Sequence, residues 1–438
     1  MAGIAAMITL AWLVLLPAAA LCLGLSHLVS TRLLSFGAAL ATTVAAASLC
    51  WLNWSGSARV LVFSWLRLEP IHIVLIDGPL NPLDLTCAVV LLLGGALALG
   101  QIGLALAWSV RGFGHLVAWA LLTLAAALLV LPAQGVLLAF CWGLVIVCGS
   151  LMVRASGVLH QQESMPGGIG LGLAASLVLL AGLLLLEPAR LEQFTSPALG
   201  ITLVVLAVLT LLGIGPWQPA LAEAVMAPAA LGGLFYGLAL PLIALHTLLQ
   251  VFTPVTISTL PRAWQLVLIL LALGCILFGV ISALREQSVR RMLAWLMGSQ
   301  AGLVILAAAL AEPLATVAAF ALLCNVMLTT LAGMLACANL ERITGSDDYT
   351  QITPAVRLRW TGLVWAAAAL SALGLPHGGV SGVVAGSLQP PGIPCRGYSP
   401  CSCWQASLWH WCTCCHWHAS GVARIRQNPH ERHPGARA

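Results

Sequence analysis

Lysine is absent from this 438-residue chain, and charge of either sign is scarce. All 18 basic residues are arginine, 13 residues are acidic, and charged side chains make up only 7% of the sequence. Hydrophobic residues make up 61%, which excludes a soluble domain because such a domain needs a charged, solvated surface. The net charge of +5 is spread thinly between apolar runs, so it does not form the basic surface that nucleic-acid binding needs.

What the sequence has instead is a series of long apolar runs. A helix needs about 20 residues to cross roughly 30 Å of hydrocarbon, and it satisfies its own backbone hydrogen bonds in lipid. The sequence therefore predicts an all-α polytopic membrane protein of about 12 transmembrane helices. No basic segment precedes the first run, so we interpret it as a retained helix, with a signal peptide as the alternative. The predicted spans are 4–25, 33–52, 84–108, 115–133, 135–153, 169–187, 200–215, 228–252, 263–284, 292–311, 313–338 and 357–376.

The arginines between these spans are divided unevenly between the two sides of the membrane. Nine fall on one side and four on the other, which predicts that the first set is cytoplasmic and that the N-terminus lies outside. The nine are Arg32, Arg111, Arg154, Arg285, Arg290, Arg291, Arg342, Arg357 and Arg359, and the four are Arg59, Arg67, Arg190 and Arg262.

The seventh span is short and ends in a proline-rich segment, Gly215-Pro216-Trp217-Gln218-Pro219. Its two prolines remove backbone donors and interrupt a helix. A broken helix at membrane depth is tolerated where protein or a water-filled cavity satisfies the freed carbonyls. The segment is therefore either such a break or a plain loop between two helices.

Several short stretches over about residues 70–382 follow the order and spacing of the motifs of one membrane-protein family. They are Ile76-Asp77-Gly78, Leu138-Ala139-Phe140-Cys141-Trp142-Gly143-Leu144, Pro216-Trp217-Gln218, Leu221-Ala222-Glu223-Ala224, Ala227-Pro228, Ala283-Leu284, Val289-Arg290-Arg291-Met292-Leu293-Ala294-Trp295, Ser299-Gln300-Ala301-Gly302 and Leu373-Gly374-Leu375-Pro376-His377-Gly378-Gly379. Through them the chain resembles the antiporter-like membrane subunits of respiratory complex I, the proton-pumping NADH:quinone oxidoreductase. It is also similar to their relatives in Mrp cation/proton antiporters and membrane-bound hydrogenases.

The resemblance implies two inverted five-helix repeats, each with one broken helix, and assembly with neighbouring membrane subunits in a bacterial plasma membrane. The expected division of the chain is three N-terminal helices over 1–114, a first repeat over 115–252, an incomplete second repeat over 263–382 and an aberrant tail over 383–438. The resemblance implies no redox cofactor in this subunit. It would be at most a non-redox part of an NADH:quinone oxidoreductase, with the lipid bilayer and other membrane subunits as its partners.

The same resemblance places uncharged residues where the family carries protons. The family's fifth-helix glutamate corresponds to Gly143, and its lysines near the seventh and eighth helices correspond to Leu211 and Leu242. The eleventh-helix lysine corresponds to Asn325 and the tenth-helix histidine to Gln300. Both of these side chains hydrogen-bond and hold water, but neither exchanges a proton near neutral pH. We therefore expect the family's fold without its usual proton-relay charges, with Gln300 and Asn325 as uncharged candidates on the path.

Four ionisable residues near the predicted membrane core are candidates for replacing those charges. Glu223 either binds a proton or cation or caps a solvated loop, and His246 either acts as a substitute relay or is a hydrogen-bonded core histidine. Asp84 opens the third span. Glu286 lies beside Arg285 and more arginines, which indicates a solvated cytoplasmic turn with headgroup contacts.

The cysteines fall into two groups. Eight lie in or beside apolar runs, where cysteine behaves as a small hydrophobe, and they indicate no disulfide framework. After Gly382 the composition changes abruptly to Pro, Arg, His, Trp and Cys. This change suggests either a reading-frame shift or a zinc or copper site. We favour the reading-frame shift because the spacing of the cysteines and histidines fits no closed zinc site. The tail's thiols and imidazoles are Cys395, Cys401, Cys403, Cys412, Cys414, Cys415, His416 and His418.

These observations favour a membrane-arm subunit of a complex I-like, proton-translocating NADH-quinone oxidoreductase that lacks the usual relay charges. One alternative is a self-contained cation/proton antiporter or transporter that uses Glu223 or His246. Another is a degenerate copy without function. No metal site and no catalytic residue are predicted.

Overall fold

The chain folds into a bundle of apolar helices. The structure is a computed structural model, and it contains eleven helices, α1 to α11, among the residues that it describes. The described residues are 3–54, 82–105, 114–155, 165–186, 197–213, 229–252, 262–310 and 313–344, with the single positions 348, 361, 364 and 368.

Eleven of the twelve predicted spans are confirmed as helices at closely matching bounds. The helices are α1 Gly3–Gly24, α2 Thr31–Trp54, α3 Pro82–Ala105, α4 Gly114–Val130, α5 Gly135–Ala155, α6 Met165–Leu186, α7 Pro197–Leu211, α8 Ala229–Val251, α9 Arg262–Ala283, α10 Val289–Ala309 and α11 Pro313–Thr344. By length and composition, eight of them are able to cross a membrane, and α1, α4 and α7 have shorter apolar stretches. Of the twelfth predicted span only three positions are described, and all three are helical.

Helix α8 lies at the centre of the bundle. In its apolar window 83% of the residues are buried, compared with 28% in α6 and in α9. It packs against α3, α4, α7, α10 and α11, whereas α9 packs mainly against α10. Exposed leucines such as Leu266, Leu270 and Leu277 line the outer face of α9, as expected for a face in contact with lipid.

Helix α8 contains a widened turn that the apolar pattern did not predict. Residues Gly233–Ala239 form a π-helix, and the amide of Leu240 donates to the carbonyl of Phe235, five residues back. The next residue, Pro241, has no amide hydrogen and its ring clashes with a regular preceding turn, so the wider turn accommodates it. The wider turn also changes the face of α8 on which all later side chains lie.

Small residues bring two pairs of neighbouring helices close together. Between α9 and α10, Gly279 lies against the backbone of Trp295 and Ser299, and Gly302 lies against the carbonyl of Ala272. Between α6 and α7, Gly182 and Gly200 face each other's carbonyl oxygens. Backbones approach this closely only without a Cβ atom, which is how membrane helices gain packing energy in lipid.

Contacts at the helix ends fit one alternating, antiparallel arrangement. The amide of Gln250, at the end of α8, donates to the carbonyl of Leu131, just after α4. Gln265, at the start of α9, donates to Ala309, at the end of α10. The side of the membrane on which the N-terminus lies stays a prediction.

The opposite end of the bundle carries the charged residues of α10 and α11. With 32 residues, α11 is about 48 Å long, which exceeds the hydrocarbon thickness, so its end extends past the membrane core. There Arg290 pairs with Glu341, and Trp295 donates its indole N–H to Glu286 at 3.0 Å. Glu286 is therefore held at a charged helix end, consistent with its predicted place in a polar turn.

The predicted breaks in the seventh and twelfth spans, and the cysteine-rich tail, lie outside the described residues. The structure does describe the end of α7, where Gly213 adopts a left-handed φ of 61° two residues after the last helical residue. Glycine favours this conformation at helix ends, so α7 stops just before the proline-rich segment. The predicted division into repeats stays a prediction.

Candidate functional site

A buried histidine and a buried aspartate form the centre of the candidate site. Nε2 of His246, on α8, lies 2.8 Å from Oδ1 of Asp84, in the first turn of α3. His246 is completely buried, and Asp84 is 7% exposed. A charge in such surroundings is tolerated only when it is paired, so the two side chains satisfy each other.

An aromatic ring also contacts His246. The ring of Phe320, on α11, meets the imidazole edge to face, with ring centroids 5.9 Å apart. Nδ1 of His246 is buried, and no described residue hydrogen-bonds to it. An ionised carboxylate only accepts hydrogen bonds, so with Asp84 ionised Nε2 is the donor and Nδ1 keeps its lone pair.

The pair lies towards one end of the bundle. His246 is five residues from the end of α8, which corresponds to about 8 Å along the helix. Leu242 lies one helical turn deeper and is completely buried. Side chains four residues apart share one helix face, so His246 and Leu242 lie on the same face of α8.

A second hydrogen bond fixes the same turn of α8. The indole N–H of Trp142, on α5, donates to Oγ1 of Thr247 at 2.9 Å, and both residues are completely buried. The hydroxyl of Thr247 donates in turn to the carbonyl of Ile243 at 2.6 Å. The first bond anchors α8 to α5 directly beside His246, and the second, within α8, orients the Thr247 hydroxyl that accepts it.

Replacing Thr247 with valine is expected to cost about 1–3 kcal/mol, because it leaves the buried indole N–H of Trp142 without an acceptor. The double variant Trp142→Phe/Thr247→Val is expected to lose less stability than the sum of the losses in the two single variants, since Trp142→Phe removes the unsatisfied donor. Thermal unfolding in detergent measures the stability of the wild type, the two single variants and the double variant. Strict additivity would contradict the hydrogen bond.

A second polar group links α10 to α11. Oγ1 of Thr329 lies 3.0 Å from Oε1 of Gln300 and 2.7 Å from the backbone oxygen of Asn325. Gln300 is 7% exposed, and Asn325 is half-buried. Thr329 is nine residues after Phe320, about 13 Å along α11, so this group lies deeper in the bundle than the Asp84–His246 pair.

The remaining predicted positions are distributed around this centre. Gly143 is half-buried on α5, and a Cβ atom there would lie 3.8 Å from Oγ of Ser176, so a side chain fits. Leu211 is buried at the end of α7. Glu223 lies outside the described residues. Among the described residues, no three His, Cys, Asp or Glu side chains are grouped closely enough to hold a metal ion.

Comparison with solved structures supports one fold over almost the whole chain. A chain of the membrane-bound sulfane sulfur reductase, an archaeal respiratory membrane complex, matches with a TM-score of 0.71 and 16% identity, covering 96% of this chain and 86% of that one. A chain of respiratory complex I from Thermus thermophilus with bound NADH matches with a TM-score of 0.69 and 18% identity, covering 98% and 90%. The chain has the fold of the membrane subunits of complex I-like complexes.

The antiporter-like fold is also found in the Mrp complex from a Dietzia species. The match has a TM-score of 0.71 and 18% identity over 94% of this chain, but it spans only 46% of the Dietzia chain. No protein-family description and no curated protein matches the sequence. The resemblance inferred from the short motifs is therefore confirmed at the level of the antiporter-like fold.

The pairing of Asp84 with His246 was not predicted from the sequence. Both residues were candidates, but 162 positions separate them, and no local pattern indicates that α3 and α8 are neighbours. The signal that exists is chemical: an acidic and a basic residue each stand alone in a long apolar run. Isolated ionisable residues in membrane helices pair with each other, so each predicts a partner elsewhere in the chain.

Proposed function

We propose that this chain is a membrane-arm subunit of a complex I-like, proton-translocating assembly, and that Asp84 and His246 hold the proton. The buried contact between these two side chains is the observation that carries the proposal. The family's usual relay positions are uncharged here, so this pair takes over their role. In this proposal the chain is a non-redox subunit, and the NADH and quinone sites of the respiratory reaction lie on other subunits.

The chemistry of the pair suits proton transfer. With Asp84 ionised and His246 neutral, the pair carries one negative charge, and a proton added at Nδ1 makes it neutral overall. Holding the proton therefore removes the pair's net charge from the apolar core, and releasing it leaves one negative charge on Asp84.

Polar side chains along α10 and α11 extend the proposed path into the bundle. Gln300, Thr329 and Asn325 supply hydrogen-bonding groups beyond Phe320 in the direction of the charged end. Such groups hold water molecules that conduct protons without being titrated themselves. Glu223 remains a further proposed member, on the segment that precedes α8.

Assembly with other membrane subunits is supported by the solved structures, since each of the three is a membrane complex. We place the chain in a bacterial plasma membrane with its N-terminus outside, on the distribution of arginines. A self-contained antiporter is the second candidate, and the ionisable pair within this single chain favours it.

Purification under mild conditions is expected to separate these two candidates. A tagged chain extracted in a mild detergent should co-purify with further membrane subunits in fixed stoichiometry, as judged by native electrophoresis and mass spectrometry. Proteoliposomes with the isolated chain should show no proton flux. Flux from the isolated chain would support the self-contained antiporter, and would contradict the subunit proposal if no partners co-purified.

A further inference from the structure

Two thiols meet between α3 and α11, close to the Asp84–His246 pair. Sγ of Cys87 lies 3.8 Å from Sγ of Cys324, although 237 residues separate them in the sequence. Cys87 follows Asp84 by three residues on α3, and Cys324 follows Phe320 by four residues on α11. Each thiol is therefore one helical turn from a residue that contacts His246.

We propose that Cys87 and Cys324 are a redox site that forms a reversible disulfide within the membrane. A disulfide has an S–S distance of about 2.0 Å, so the two sulfurs, now 3.8 Å apart, need to approach by roughly 1.8 Å. Both cysteines are free thiols in the described structure. Cys87 is completely buried, and Cys324 is partly exposed, so the attack on an oxidant starts from Cys324.

The location of the site determines the class of oxidant. The two thiols lie among apolar helices, from which charged oxidants are excluded, so the oxidant has to be uncharged and soluble in lipid. We assign a quinone because it meets both requirements and accepts two electrons together with two protons. The two S–H bonds break, one S–S bond forms, and the quinone takes up two electrons and two protons to become a hydroquinone. Quinones have higher reduction potentials than typical protein disulfides, so the reaction is favourable in this direction.

The disulfide would join α3 covalently to α11. His246 lies between Asp84 of α3 and Phe320 of α11, so a bond between these helices one turn away restricts any separation that proton transfer at His246 requires. The disulfide itself does not depend on the proposed proton function. Only its effect on transport rests on that function.

Differential labelling of the full-length protein in native membranes tests the disulfide. Membranes are treated with duroquinone, whose fully substituted ring prevents thiol addition, then denatured and blocked with light N-ethylmaleimide. After reduction, the thiols that reappear are labelled with the heavy reagent and mapped by mass spectrometry. Cys87 and Cys324 are both expected to carry the heavy label. Cys141 and Cys275, which are buried on other helices, are expected to carry only the light label.

Single substitutions identify the partner of each thiol. In Cys87→Ala, Cys324 should stay light, and in Cys324→Ala, Cys87 should stay light, whereas Cys141→Ala should leave the pair unchanged. Light label at both cysteines in the wild type would overturn the proposal. Oxidation by diamide but not by duroquinone would overturn the assignment to quinones.

Proton transport by the assembled complex provides the second measurement. Duroquinone should cause a loss of transport that dithiothreitol restores, and Cys87→Ala should abolish this sensitivity. Oxidation of the cysteine pair without any change in proton transport would overturn the inference that the disulfide restricts the separation of α3 and α11. Absence of transport in every sample would instead contradict the proposed function, while the labelling result would still stand.

Discussion

Replacing His246 with glutamine is expected to lower proton transport by the assembled complex at least about tenfold, because it removes a positioned proton carrier. The glutamine amide still donates a hydrogen bond to Asp84, so the contact between α3 and α8 is retained. It does not exchange a proton near neutral pH, whereas imidazole does. Proton uptake by inverted membrane vesicles, normalised to the amount of assembled complex on native gels, measures the effect.

Two further variants make this test specific to the pair. Asp84→Asn should produce a similar loss, and the double variant should lose little more than either single one, since the two residues act as a unit. Thr247→Val, one residue further along α8, serves as the matched control because it disturbs packing without removing a proton carrier. Wild-type transport in both single variants would remove the pair from the proton path.

Replacing Gly279 with alanine is expected to destabilise the contact between α9 and α10 by about 1–3 kcal/mol, through overpacking. A Cβ atom at this position would lie 2.8 Å from the carbonyl oxygen of Trp295 and 2.9 Å from the amide nitrogen of Ser299. Both atoms belong to the backbone of α10, so no side-chain rotation relieves the contact. The helices have to separate, and they lose packing along their whole length.

Gly274 on the same helix provides the control for this effect. A Cβ atom there would have no neighbour within 4 Å, so Gly274→Ala should be neutral or slightly stabilising. The measurement is the temperature at which half of the solubilised protein loses its monodisperse peak on size-exclusion chromatography. Equal midpoints for the two variants would contradict the close approach of α9 and α10.

The positions of the helices could be predicted from the sequence because hydrocarbon thickness imposes one strong constraint on every span. The predicted and observed bounds of the fifth span, 135–153 and Gly135–Ala155, differ by two residues at one end. Helix α11 continues six residues beyond its predicted end, through Glu341 and Arg342. Apolarity shows where a helix is inside lipid, but it does not show how far the helix continues outside.

The candidate site was only partly predictable, because its geometry depends on tertiary contacts. His246 and Asp84 are each identifiable as ionisable residues in apolar runs, but their contact is not. The face of α8 on which it lies depends on the π-helix over Gly233–Ala239, which alters the periodicity from which a face is inferred. The hydrogen bond that Thr329 donates to Oε1 of Gln300 likewise depends on how α10 packs against α11.

The long separation of Asp84 and His246 also has a consequence during synthesis. At roughly 5–20 residues per second, the ribosome needs about 8–30 s to make the 162 residues between them. Throughout that interval α3 is in the membrane with a carboxylate whose histidine does not yet exist. The position of Asp84 in the first turn of α3 lets the nascent helix keep this group near the headgroups until α8 arrives. Formation of the Asp84–His246 contact, to which we assign proton transport, is therefore also a late step of membrane insertion.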